Sequence, residues 1–208
     1  LILSHADADH VGGASALLRA HPHATWLGAL PPRHALNAIR PGQPCQAGMR
    51  WWVDGVRFEV LHPLRYDDDR PTNRNSCVVK VQATSGSVLL LGDLESRDEQ
   101  ALVQAKAPLH ADVMLVAHHG SRTSSHPQFL QAVQARWGLI QSGYLNAHGH
   151  PHGSVVQALN QAGWQVRASP SCGAMHWQSV RAQQVTCERD RRRRYWHHPQ
   201  QGESGDQA

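Results

Sequence analysis

Lysine is nearly absent from this 208-residue chain: of 20 basic residues only Lys80 and Lys106 are not arginine. Long apolar runs are missing too. The cleanest, Val88–Leu91 and Val113–Ala117, have the length of core strands, whereas about 20 apolar residues are needed to cross a bilayer. Cys45, Cys77, Cys172 and Cys187 contain no C-x-x-C pair, which excludes a zinc knuckle or a thioredoxin-type redox motif. They allow at most two disulfides, which would suit an oxidising compartment. No nucleophile elbow occurs, so nothing calls for a Ser-His-Asp hydrolase. No period of roughly 20–50 residues marks a repeat protein. Residues Leu1–His5 have neither a starting Met nor a basic stretch. They read as a strand entered in mid-fold rather than as a signal peptide, and the chain is expected to be a piece of a longer protein.

What is present allows a core. With 40% hydrophobic and 17% charged residues, the composition is that of a folded domain and not of a disordered segment. A net charge of +4, carried by arginine, favours an anionic partner. Asp54-Gly55, between Arg50–Val53 and Val56–Leu61, signals a two-residue hairpin. Ser85-Gly86, between Cys77–Ala83 and Val88–Leu91, signals another. Downstream, helices are expected over Arg97–Ala105, Pro127–Ala135 and Ser154–Ala162, the last capped by Ser154. They alternate with strands Val113–Ala117 and Gly138–Ser142. Early hairpins followed by β-α-β units predict one mixed α/β domain over residues 1–185. From Arg189 the composition turns to RDRRRRYWHH, without apolar periodicity, and residues 186–208 are expected to form an Arg-rich, flexible tail. Its arginines, with Tyr195 and Trp196, could contact phosphates and stack on a base, although a charge run beside a chain end is more often only solvated.

Sixteen histidines are the anomaly. The densest group is His5-Ala6-Asp7-Ala8-Asp9-His10, after the strand Leu1–Ser4 and before Gly12-Gly13 and a helix to Ala20. Four ligand-type side chains within six residues cannot share one face of a strand or a helix. On a loop at a strand's C-terminal end they can converge, and open α/β folds place their sites there. Mixed imidazole and carboxylate ligands suit zinc or manganese better than calcium. A solvated turn with a capping Asp is the bland alternative, and the flanking histidines and following glycines argue against it. Further motifs close other strands: Gly92-Asp93 after Val88–Leu91, His118-His119-Gly120-Ser121 after Val113–Ala117, and Asn146–Pro151 after Gly138–Ser142.

HADADH resembles the H-x-H-x-D-H motif of the metallo-β-lactamase superfamily with Asp in place of its second His, and the later strand-end motifs follow in that superfamily's order. LSHADADHVGG, NRNSCVVKV, LLLGDLE, ADVMLVAHHGSRTSS and SGYLNAHGHP are similar to the C-terminal hydrolase domain of ComEC-type competence channels, over roughly residues 1–180. The resemblance implies a four-layer αββα sandwich whose first strands are missing from this chain. It implies a metal-dependent phosphodiesterase acting on DNA, single-stranded, during uptake. Two divalent cations, zinc or manganese, would serve it. The rest of the polypeptide would be a membrane channel portion, with this soluble domain on the periplasmic or extracellular side of the inner or cytoplasmic membrane.

Residue roles follow from the same resemblance. His5 and Asp7 would hold the first cation, Asp9 and His10 the second, Asp93 would bridge, and His150 would complete the second site. The third-motif His of the superfamily has no match; Asn73 or Asn75 stands in its place, with His62 upstream, and Asn75 is the expected ligand. Oxygen donors at these positions would favour manganese. Glu95, His118 and His119 are expected at the substrate phosphate and in proton transfer. Two other readings use the same residues: a metallo-hydrolase of a small ester or phosphodiester, and a non-catalytic metal-binding module of the DNA transport machine.

Overall fold

The computed structural model describes residues 1–192 and Arg194. A first group of short elements comprises β1 (Ile2–Leu3), α1 (Ala8–Val11), α2 (Ala14–Ala20), β2 (Leu27–Gly28), α3 (Leu36–Ile39) and β3 (Gln43–Pro44). An antiparallel meander follows: β4 (Arg50–Val53), β5 (Val56–His62), β6 (Val78–Ala83) and β7 (Gly86–Leu90). Next, α4 (Ser96–Gln104), β8 (Val113–Leu115), α5 (Pro127–Val133), β9 (Trp137–Ile140), α6 (Gly153–Gln161) and β10 (Gln165–Ala168) alternate, each new strand parallel to the last. Short α7 (Ser169–Cys172), β11 (Met175–Trp177), β12 (Val185–Cys187) and α8 (Glu188–Arg191) come last. The large sheet has the order β10-β9-β8-β7-β6-β5-β4, and the small parallel sheet β1-β2-β3.

The packing of side chains defines four layers. Strand β6 alternates: Val78 joins Leu89, Leu91, Leu102, Phe129 and Leu159 under α4, α5 and α6, while Val79 and Val81 join Ile2, Leu27, Ala29 and Val60 against the small sheet. On the small sheet's other side, Leu3, Leu18, Trp26, Leu30 and Leu36 bury α2 and α3. Helices, small sheet, large sheet, helices: this is the expected αββα sandwich, each sheet burying both faces. Among the described residues no helix is long and apolar enough to cross a membrane.

Local chemistry explains most boundaries. Asp54 (φ 48°) and Gly55 (φ 78°) both have positive φ, the primed turn whose twist suits a two-residue hairpin. The second hairpin turns one residue earlier than its glycine suggests, because Ala83 pairs with Gly86 and Thr84-Ser85 make the turn. Helix α6 is capped by His152, whose ring accepts the Ser154 N–H, and not by Ser154. Two disulfides, Cys45–Cys77 and Cys172–Cys187, use all four cysteines. The second ties β12 to α7, and folded structure continues to Arg191, so the domain edge expected near 185 falls at the start of a strand. Of the expected tail, residues 193 and 195–208, with Tyr195 and Trp196, lie outside the described residues. Trp26, Trp137 and Trp164 are core residues, whereas Trp52 is 63% exposed on the edge strand β4.

Fully buried Glu99 on α4 holds the turn before α5 by accepting the N–H groups of Ser125 (2.8 Å) and His126 (2.7 Å). Burial pushes its pKa up to about 7, against the two N–H bonds that favour the ionised form. The folded chain therefore holds this proton more tightly than the unfolded chain. Its stabilising contribution is full below the ordinary value of 4.5 and is lost as pH rises through about 7. We expect urea-unfolding stability to fall across that window, and the Glu99→Gln variant to lose this pH dependence. The variant should also be less stable by about 1–3 kcal/mol, since one of the two N–H groups loses its acceptor.

Candidate metal centre

The HADADH segment is half loop and half helical turn, not the open loop expected. After β1 the chain bends at Ala6-Asp7, and the Asp7 carbonyl then accepts the N–H groups of His10 (2.9 Å) and Val11 (3.0 Å), closing α1. This turn lifts Asp9 and His10 back over His5, whose ring centroid lies 4.1 Å from that of His10. The large sheet supplies the other wall. Gly92 adopts φ +56°, and a Cβ there would come within 2.7 Å of Ser4 Cβ, so only glycine lets β7 deliver Asp93 so close to the small sheet. The Asp93 N–H is held by Ser76 Oγ at 3.0 Å.

Beyond β8, His118 (φ 52°) and His119 (φ 54°) both occupy the left-handed region. Side-chain sterics there cost about 1–2 kcal/mol per residue, and neither is glycine. The turn is held by the His118 N–H to Gly92 O bond (3.0 Å) and by Ser124 Oγ donating to Ala117 O (3.0 Å). Strain concentrated in two adjacent histidines is a mark of a site under functional constraint. The hydroxyls after the pair serve this turn: Thr123 Oγ1 sits 3.2 Å from His118 Nδ1, and the N-cap of α5 is His126.

These walls bring ring nitrogens and carboxylates together. His5 is fully buried and its Nε2 has no hydrogen-bond partner among the described residues; it faces Asp7 Oδ2 at 3.5 Å and Asp93 Oδ2 at 3.8 Å. His10 Nε2 lies 3.2 Å from Asp93 Oδ1 and 3.6 Å from Asp9 Oδ2. His119 Nε2 lies 3.2 Å from Asp9 Oδ2, 3.7 Å from Asp93 Oδ2 and 3.3 Å from His10 Nε2. Among the described residues two sets have ligand atoms all within 4.8 Å of one another: His5, His10 and Asp93, and Asp9, His10 and His119. The His119 Nδ1–H donates to Gln141 O at 2.8 Å, which leaves the Nε2 lone pair aimed at the cluster, as metal-ligating imidazoles are held. An orphaned buried nitrogen and converging lone pairs among carboxylates are what a divalent cation satisfies. The residues fit such an ion.

Protonation is split unevenly. Burial, reinforced by the neighbouring His10, lowers the His5 pKa despite three aspartates nearby. Burial also opposes charge on His10, but its hydrogen bond to Asp93 and the charges of Asp93 and Asp9 outweigh it, and the pKa rises. Burial would raise the pKa of Asp93; its bond to His10 and the three surrounding imidazoles hold it below the usual carboxylate range.

Other expected site residues are placed differently. Asp7 borders the cluster and is fixed by Thr72, whose Oγ1 donates to Asp7 Oδ1 at 2.6 Å. Asn75 is buried with its amide spent on the Asp67 backbone, at 3.1 Å and 2.9 Å. Asn73 is the amide at the site: its Nδ2 lies 3.5 Å from His118 Nε2 and its Oδ1 is buried without a partner among the described residues. His62 donates from Nδ1 to Ser76 O at 2.8 Å, and burial lowers its pKa; it braces the segment under Asp93. His150 packs edge-on against His118, centroids 6.0 Å apart, and stacks on His148. It falls outside both ligand sets, and His119 stands where His150 is expected. Glu95 precedes α4, where its carbonyl accepts the Asp98 and Glu99 N–H groups, and belongs to neither set. Ser4 and Thr72 are the polar side chains that sequence reasoning misses. Ser4's position directly before His5 is the only local signal for either.

A family model described as the metallo-beta-lactamase superfamily matches residues 1–143. The chain is 37% identical over 161 residues to Recombination protein 2 of Haemophilus influenzae, covering 77% of this chain and 20% of that protein. It is 35% identical over 188 residues to Competence protein ComA of Neisseria gonorrhoeae, covering 85% and 25%. The chain thus spans a fifth to a quarter of the length of these relatives. Among solved structures it is similar to CmlA, a diiron beta-hydroxylase from Streptomyces venezuelae, with a TM-score of 0.56, 12% identity, and coverage of 80% of this chain and 42% of that one. That likeness speaks for the fold.

Elemental analysis after purification with zinc or manganese checks the ligand sets. Asp93→Ala and His119→Ala should each lower bound metal by at least one equivalent of the wild-type content, while His150→Ala should leave it unchanged. Full metal content in His119→Ala, with loss in His150→Ala, would reverse the two assignments.

Proposed function

The chain belongs to the metallo-beta-lactamase superfamily, and from that premise we propose that it is a metal-dependent phosphodiesterase that hydrolyses DNA, with single strands as substrate, during competence-linked uptake. The observation that carries the proposal is the orphaned His5 Nε2 among converging His10, His119, Asp9 and Asp93, with His118 and Asn73 beside them but outside the ligand sets. His5, His10 and Asp93 would hold one divalent cation, and Asp9, His10 or Asp93, and His119 a second, with Asp7 at the edge. Cations bound there would supply Lewis acidity and charge neutralisation at a phosphoryl group.

The remaining roles belong to the chain's own side chains. The His118 ring is held through Nδ1 by Thr123, and its Nε2 has only long contacts, 3.5 Å to Asn73 and 3.8 Å to Asp93. It is therefore oriented yet open to a substrate atom, as a proton donor to a leaving oxygen must be. The buried, unpartnered Asn73 Oδ1 and the adjacent His150 complete the polar wall on that side. The names of the two relatives, recombination and competence, support DNA as the substrate, and the arginine-based charge of +4 agrees with a polyanion. Two disulfides suit an oxidising location outside the cytoplasm, with a membrane channel portion supplied by the remainder of a longer polypeptide.

Degradation of end-labelled single- and double-stranded DNA tests the proposal. Chelation should abolish activity. Manganese should restore it at least as well as zinc, given the aspartates in the ligand sets. His118→Ala should reduce hydrolysis by about a hundredfold or more, the usual effect of losing a general acid or base, with metal content intact. A fully metal-loaded chain that cleaves neither form of DNA would sink the proposal and leave the small-ester or phosphodiester hydrolase and the non-catalytic module.

A further inference from the structure

One hydroxyl serves two of the proposed ligands. Ser4 Oγ lies 2.8 Å from His10 Nδ1 and 3.1 Å from His5 Nδ1. Both rings point their other nitrogen, Nε2, toward Asp93. A neutral imidazole carries one N–H and one lone pair, so a ring that coordinates through Nε2 must keep its proton on Nδ1. A hydroxyl oxygen has two lone pairs and can accept twice. If Ser4 instead donated its proton to either ring, that ring would carry an Nε2–H aimed into the cluster and could not bind a cation. Only one arrangement frees both Nε2 lone pairs: both Nδ1–H groups donate to Ser4 Oγ.

From this geometry we infer that Ser4 is a positioning residue that sets the tautomer of His5 and His10 together and so prepares both for metal. The inference rests on the metal-binding part of the proposed function. Ser4 is itself held on two sides. Its carbonyl accepts the Cys77 N–H at 2.7 Å, and Gly92 packs so near that any Cβ would come within 2.7 Å of Ser4 Cβ. The hydroxyl therefore has a fixed place between the two rings and the strand end that carries Asp93. Loss of such a partner typically weakens metal binding by roughly 10–100-fold.

The test uses the full chain with Zn²⁺ as the probe, its affinity read by competition with a chromophoric chelator. Long-range ¹H–¹⁵N correlation spectra of the zinc-loaded protein report which ring nitrogens carry protons. We expect Nδ1–H on both His5 and His10 in the wild type, a roughly 10–100-fold loss of zinc affinity in Ser4→Ala, and recovery in Ser4→Thr, which keeps the hydroxyl. An Nε2–H on either ring of the zinc-loaded wild type overturns the inference, as does wild-type affinity in Ser4→Ala. The spectra need no variant, so a Ser4→Ala protein that fails to fold leaves the test intact. Ser4-dependent zinc binding without DNA hydrolysis would refute the phosphodiesterase and support this inference. Hydrolysis with Ser4-independent zinc binding would do the reverse.

Discussion

The bond from the Cys77 N–H to the Ser4 carbonyl, at 2.7 Å, joins the two sheets at the place where the site forms. On one side of this seam β1 feeds His5, Asp7, Asp9 and His10; on the other, β7 and β8 feed Asp93, His118 and His119. Residues 76 and 77 connect both sides. Ser76 accepts the Asp93 N–H on its Oγ and the His62 Nδ1–H on its carbonyl, and Cys77 is bridged to Cys45 just beyond β3. Gly92 is small because Ser4 is in the way. Neither sheet alone completes a ligand set, since one side gives His5, Asp9 and His10 and the other Asp93 and His119, so the packing of the sandwich and the assembly of the site are the same event.

A second device works at longer range. The polar loop over residues 65–75 carries Thr72 to Asp7 and Asn73 to His118, yet it has almost no apolar side chain to bury. Arg70 and Arg74 anchor it instead, both pairing with the buried carboxylate of Asp98 at the start of α4. Burial would raise the Asp98 pKa, but the Arg74 hydrogen bond and both guanidinium charges hold it down. A charged pair with one partner buried is strongly destabilised when the other is removed. The loop is thus pinned through a group that touches neither candidate ligand set.

Much of this was legible in the sequence because the chemistry is dense. Four ligand-type residues within His5–His10, and Gly92-Asp93 closing an apolar run, mark half the site without any knowledge of the fold. Asp54-Gly55 marks a hairpin by its backbone preference alone. The rest depends on tertiary contacts. Which of His118, His119 and His150 joins Asp9 and His10 in a ligand set is decided by two left-handed residues held by a distant carbonyl, and side-chain type carries no trace of that. Asn75 looks like a ligand until the Asp67 backbone claims its amide, while Asn73, two positions away, faces His118. Strands β1, β2 and β3 are two residues each, too short to show a period, and hydrogen bonding across the sheet defines them.

Because the candidate ligands come from both sides of the seam, any cation they bind is also a crosslink between layers. Binding to the assembled form alone stabilises it by RT ln(1 + [L]/Kd), about 2.7 kcal/mol when the free ion is at a hundred times its Kd. That is a sizeable share of the roughly 5–15 kcal/mol that holds a domain folded. The relation is reciprocal. Whatever loosens the small sheet from the large one weakens the grip on the ion, and whatever withdraws the ion loosens the sheets. In this sandwich the occupancy of a few nitrogen and oxygen atoms and the cohesion of the whole fold are two readings of one equilibrium.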